Sequence, residues 1–111
     1  MKKIEAIISP SKLEEVKDEL GSIGVTGATV AEVHGVAGHP RVELYRGAEY
    51  KVDMVPQVEL EIIVPDDEVA SVVATIRGAA STVRGEEGRI FILPLEDVIR
   101  IRTGEHGAAA L

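Results

Sequence analysis

The sequence predicts an α+β sandwich in the order βαββαβ, an antiparallel four-stranded sheet with two helices on one face. Two observations carry this. Apolar residues alternate with charged ones in short segments rich in isoleucine and valine, and the chain repeats one arrangement: an apolar segment, a proline and an acidic helix start, in IISPSKLEEV and again in IIVPDDEVASV. Composition agrees: hydrophobic residues make up 45% of the 111 residues and aromatic ones only 3%. The core must therefore be aliphatic, which suits sheets. A doubled βαβ unit of this length points to a ferredoxin-like sandwich, and the length to a single domain spanning 1–111.

Each element follows in turn. KKIEAIIS alternates around Ile4, Ala6 and Ile8 and predicts a strand that Pro10 ends. Ser11 stands three residues before Glu14, the spacing of a capping box, and Leu13, Val16, Leu20 and Ile23 recur at helical intervals until Gly21 and Gly24. ATVAEVHGV, residues 28–36, predicts the second strand. QVELEIIV, residues 57–64, predicts the third, with Val58, Leu60, Ile62 and Val64 on one face and Glu59 and Glu61 on the other. The second helix opens at Pro65 with Asp66 or Asp67 as N-cap, and its apolar stripe is Val69, Val72, Val73, Ile76 and Ala80. RIFIL, residues 89–93, predicts a fourth strand, and VIRIR, residues 98–102, a short last one.

The formal charge of −7 argues against nucleic-acid binding, which needs clustered cations to neutralise phosphates. With no cysteine there is neither a disulfide framework nor thiolate chemistry, and without a leading apolar run or an 18-residue apolar stretch a cytoplasmic protein with no direct membrane insertion is expected. The arginines, however, all lie after position 40. Their planar fork suits phosphate, so an anion site is sought in the second half. A sheet face left open by the helices needs a cover, and another copy of the chain is the expected one.

Between the second and third strands runs GVAGHPRVELYRGAEYKVDMVP, with three glycines, two prolines and no usable periodicity. A loop of that length in a small domain is usually functional, and both tyrosines, Tyr45 and Tyr50, lie on it. YRGAEY at its tip, the MKKIEAII start, VPDDEV and VIRIRTGE resemble the PII signal-transduction family, in order and over essentially the whole chain. The resemblance, to a divergent PII-like member, implies a homotrimer with adenine nucleotides (ATP, ADP or AMP) in the clefts between subunits. It also implies a T-loop at about 36–56, a B-loop at about 81–89 and a C-terminal segment at about 98–111. The T-loop would engage a target protein, a transporter, enzyme or kinase, through Arg41, Glu43, Tyr45, Arg46, Glu49 and Tyr50. Tyr50 matches the residue uridylylated in some bacteria.

Arg100 and Arg102 are two apart on the predicted last strand, which puts both on one face. Arg84, Gly85, Gly88 and Arg89 form a basic turn punctuated by glycine. The resemblance implies phosphate contacts from Arg84, Glu87, Gly88, Arg89, Arg100 and Arg102. It implies adenine and ribose contacts from Thr29, Gly35, Glu61, Ile63 and Thr82, with Ala37 and Gly38 at the T-loop base. Neither a GxxxxGK[ST] loop nor a GxGxxG is present, so P-loop and Rossmann readings fail.

The chain also departs from the family. Where the usual loop entry carries Arg-Gln-Lys-Gly, whose glutamine helps hold magnesium and 2-oxoglutarate, this chain has Ala37, Gly38, His39 and Pro40 and is one residue shorter. The lysine that pairs with a 2-oxoglutarate carboxylate is replaced by Gln57. Losing one charged contact from a desolvated site costs about 2 to 5 kcal/mol, roughly 30-fold or more in affinity. Weak or absent 2-oxoglutarate binding is therefore expected, with a standard nitrogen-regulatory PII protein that senses 2-oxoglutarate as the alternative. The B-loop reads GEEG instead of a GDG-type turn, which leaves open the preferred nucleotide and whether magnesium accompanies it. His34, His39 and His106 read as surface residues, and no metal site is assigned. The alternative, a metal-tolerance-type trimer binding divalent cations, would use His39 with Glu43. No poised acid, base or nucleophile stands out from the acidic background, so no catalytic residue is assigned and an enzyme is not expected. A CutA-like trimer of the same fold is disfavoured because that family lacks the YRGAEY loop.

Overall fold

In the computed structural model, described over residues 1–81 and 88–111, β1 (Lys2–Ile8), α1 (Leu13–Ser22), β2 (Thr29–Tyr45), β3 (Ala48–Val64), α2 (Val69–Ala80) and β4 (Arg89–Pro94) follow one another. For residues 37–45 and 48–53 the backbone alone is described. The sheet has the order β2-β3-β1-β4 and every neighbouring pair is antiparallel. With two helices on one face, this is the expected ferredoxin-like sandwich.

Strand alternation fixes which face meets the helices. Ile4, Ala6 and Ile8 of β1 and Val58, Leu60, Ile62 and Val64 of β3 are buried against Val16 and Leu20 of α1 and Val72, Ile76 and Ala79 of α2. Every buried residue among those described is aliphatic. The two expected helix stripes hold, with two adjustments: Ile23 lies exposed at the C-cap of α1, and Ala79 is buried where Ala80 only packs against the core.

The helix starts differ from expectation. Pro10 begins a 3₁₀ turn, Pro10–Lys12, that leads directly into α1, so Ser11 lies inside a turn, and the Ser9 and Ser11 hydroxyls bond each other at 3.1 Å. No side-chain cap forms there. At the second helix a 3₁₀ turn, Asp66–Glu68, likewise precedes α2, and neither aspartate caps it. Asp66 instead meets the Met1 amino group at 2.8 Å and Lys2 at 3.7 Å, and the amino-group contact holds its carboxyl below the ordinary value.

The stretch expected as an aperiodic loop continues both strands. β2 and β3 pair along a hairpin of 17-residue strands, with a register shift between Val36 and Arg41. At about 3.3 Å per residue such a strand spans roughly 56 Å, which accounts for the 58 Å long axis. The tip is a two-residue turn joining Tyr45 to Ala48, with Arg46 at φ 52° and Gly47 at φ 80°. Positive φ at both positions gives the twist that matches antiparallel strands.

The expected last strand, residues 98–102, does not form. Ile99 makes a single bridge to His106, and residues 101–103 are in a turn. The amides of Gly104 and Arg100 bond within the segment, to Arg100 O at 2.8 Å and Glu105 O at 2.9 Å, which closes a local hairpin where a ladder rung was expected.

Candidate functional site

Register assembles the helix-free face row by row. Thr29 pairs with Glu61, Glu61 with Glu5, and Glu5 with Phe91; one row away Ala31, Glu59, Ile7 and Arg89 align, and on the other side Ile63, Lys3 and Leu93. Five residues expected to meet a nucleotide, Thr29, Gly35, Glu61, Ile63 and Arg89, therefore share this face, since side chains two apart on a strand point the same way. Ile63 among them is exposed, as are Phe91 and Leu93 beside them. An aliphatic and aromatic patch next to charged groups is what an interface leaves on an isolated chain.

Its centre is electrostatically crowded. The Lys3 ammonium bonds Glu5 at 3.0 Å and Glu61 at 3.3 Å, and these two partners raise the lysine pKa. Glu59 makes no ion pair among the described residues: loss of water raises its carboxyl pKa, the charge of Glu5 and a hydrogen bond to Glu61 add to the shift, and the charge of Lys3 opposes it. The carboxylate oxygens of Glu5, Glu59 and Glu61 lie within 4.8 Å of one another, a spacing a hard cation could bridge, but the Lys3 ammonium already holds two of them. Sequence reading passed over this cluster. Its signal was there: Glu5 in KKIEAI and Glu59 and Glu61 in VELEI have the parity opposite to the core residues on adjacent strands.

Two glycines of the expected site are sterically constrained. A Cβ on Gly88 would lie 2.6 Å from the backbone oxygen of Ile7, so β4 enters the sheet closer to β1 than a side chain allows. At Gly35 the Gln57 carboxamide lies where a Cβ would go. Gln57 thus lies against the base of the hairpin arm. Ala37 and Gly38 fall at the register shift, with their side chains outside the description.

Of the remaining candidates, only some are described. Thr82, Arg84 and Glu87 lie outside the described residues, as do the side chains of Arg41, Glu43, Tyr45, Glu49 and Tyr50 and the His39 with Glu43 alternative. Arg46 is exposed at the tip of the arm. Arg100 and Arg102 are exposed on the C-terminal segment, Arg102 within the turn. The single-face argument for them, which assumed a strand, does not hold. Arg100 donates to the Leu111 backbone oxygen at 3.3 Å. His34 and His106 are exposed, as expected, but His106 also bonds Asp97, at 3.0 Å. Among the described residues no helix is long and apolar enough to cross a membrane.

The family model described as "Nitrogen regulatory protein P-II" matches residues 1–105. Over the whole length of both chains the sequence is 52% identical to nitrogen regulatory protein P-II 1 of Escherichia coli (strain K12), 51% to nitrogen regulatory protein P-II of Rhizobium meliloti (strain 1021) and 50% to that of Azospirillum brasilense. All three are named as regulatory proteins, not enzymes. Identity of this extent makes the divergent qualifier unnecessary.

Proposed function

Because this chain belongs to the nitrogen regulatory protein P-II family, we propose that it is a cytoplasmic, nucleotide-responsive signal-transduction protein that acts as a homotrimer on a target protein and not as an enzyme. An adenine nucleotide occupies the cleft between copies. Thr29, Gly35, Glu61 and Ile63, with Thr82, line its base and ribose, while Gly88, Arg89, Arg100 and Arg102, with Arg84 and Glu87, hold its phosphates. The observation that carries this reading is the helix-free face, where five of these residues, exposed Ile63 among them, lie beside exposed Phe91 and Leu93. A ligand resting on an open sheet would stay half in water; a second copy closes the cleft and covers the apolar patch.

Signalling then needs no chemistry on the ligand. Bound nucleotide touches the base of the hairpin arm around residues 35–38, and its different affinity for two arm arrangements sets which one the target meets. The arm presents Arg41, Glu43, Tyr45, Arg46, Glu49 and Tyr50, with Tyr50 as the modification site where uridylylation operates.

We assign weak or no 2-oxoglutarate binding, supported by Gln57 lying against Gly35 where a lysine would supply a charge-assisted contact. A specific observation favours the second reading, a standard P-II protein sensing 2-oxoglutarate as well: identity of half or more over the full chain. Calorimetric titration with ATP, magnesium and 2-oxoglutarate separates the two. ATP binding without a 2-oxoglutarate signal supports the first; micromolar 2-oxoglutarate binding establishes the second, and absence of ATP binding overturns both.

A further inference from the structure

We propose that Asp97 is a positioning residue for the arginine-bearing C-terminal turn, clasped to it by His106, and that this clasp tunes phosphate affinity. The proposal rests on the reading of Arg100 and Arg102 as phosphate ligands. Apart from Asp97 the turn is held by local bonds, from the Arg100 amide to Glu105 O, the Gly104 amide to Arg100 O and the Arg100 guanidinium to the Leu111 backbone oxygen. Ile99 and Ile101 are exposed and bring no core packing, and one bridge, Ile99 to His106, is not a ladder. A hairpin of that size is at best marginal alone.

Asp97 closes both ends. Its Oδ1 accepts from the Val98 amide at 2.8 Å and from the Gly107 amide at 3.1 Å, and its Oδ2 meets His106 Nδ1 at 3.0 Å. The Gly107 amide also bonds Val98 O at 3.0 Å, so one carboxylate gathers donors from the first and last residues of the loop that displays both arginines. The Asp97 carboxyl lies below its ordinary value, with the His106 contact as first cause, so it is ionised near neutrality. An ionised carboxylate can only accept, which places the hydrogen on Nδ1. Among the described residues no ion pair ties this segment to a strand or helix; its other charged groups are Glu96, Arg100, Arg102 and Glu105.

ATP affinity measured calorimetrically at one neutral pH for wild type, Asp97→Ala, Asp97→Asn and His106→Ala tests this. A turn formed only about a fifth of the time weakens apparent affinity about five-fold, which is the loss expected for Asp97→Ala. Asp97→Asn keeps an acceptor for the two amides and recovers affinity. His106→Ala removes the Oδ2 contact but leaves both amide contacts, and gives a smaller loss than Asp97→Ala. Amide exchange at Val98 and Gly107 reports the clasp independently and speeds up in Asp97→Ala. Wild type that binds ATP no better than Asp97→Ala, or full wild-type affinity in His106→Ala, overturns the clasp alone. Wild type that binds no ATP overturns the site reading, and the clasp's role with it.

Discussion

Replacing Gly88 by alanine and Gly78 by alanine makes the same chemical change with opposite expected signs. At Gly88 the new Cβ would sit 2.6 Å from the Ile7 backbone oxygen, well inside van der Waals contact. Ile7 cannot withdraw cheaply, because β1 is paired to β3 on one side and β4 on the other, with Ile7 in register with both Glu59 and Arg89. The strain must be taken up by shifting β4, at a cost of about 1–3 kcal/mol typical of overpacking. At Gly78, in α2, nothing lies within 4 Å of the added Cβ, and alanine gains about 0.5–1 kcal/mol from its better helix propensity. Urea denaturation at fixed protein concentration, followed by far-UV circular dichroism, measures both; the concentration matters because an oligomer's stability depends on it. Gly88→Ala should lower the midpoint and Gly78→Ala raise it. Equal midpoints for Gly88→Ala and wild type would refute the close approach of β4 to β1.

Leu60→Ala removes a side chain with no exposure at the centre of the core and should cost about 2–5 kcal/mol in the same assay. Glu59→Gln should raise the melting temperature near neutral pH. A carboxyl whose folded pKa is raised favours the fold below its ordinary value of 4.5 and loses that contribution as pH rises through the folded value. The advantage of the glutamine should therefore shrink on acidification; a difference that grows in acid contradicts the assignment. Gly47→Val places a β-branched residue at φ 80° in the tip turn, at a cost of about 1–2 kcal/mol to that conformation. Faster amide exchange confined to the far half of the arm, with the global unfolding midpoint unchanged, is the expected result.

Legibility in the sequence followed the physics of burial. Val58, Leu60, Ile62 and Val64 announced their face because every second residue had to be apolar to meet the helices, and Ile4, Ala6 and Ile8 did the same. The arm was missed because its strands run past the helices, so no core imposes alternation there, and Arg46-Gly47 is a less obvious turn pair than Asn-Gly. VIRIR had the composition of a strand, but Asp97 drawing in the Val98 and Gly107 amides turned it into a local hairpin. The capping box at Ser11 failed because Pro10 starts a 3₁₀ turn one residue earlier. Of the candidate site, the residues on strands fell together by parity, whereas the turn bearing Arg100 and Arg102 is shaped by local side-chain bonds from Asp97 that no periodicity encodes.

Native mass spectrometry with and without ATP tests the central claim most directly. The account predicts a trimer of this chain that takes up one ATP per chain, with uptake abolished in Arg100→Ala/Arg102→Ala while the trimer persists. A monomer that binds ATP equally well, or a trimer that takes up none, would contradict it.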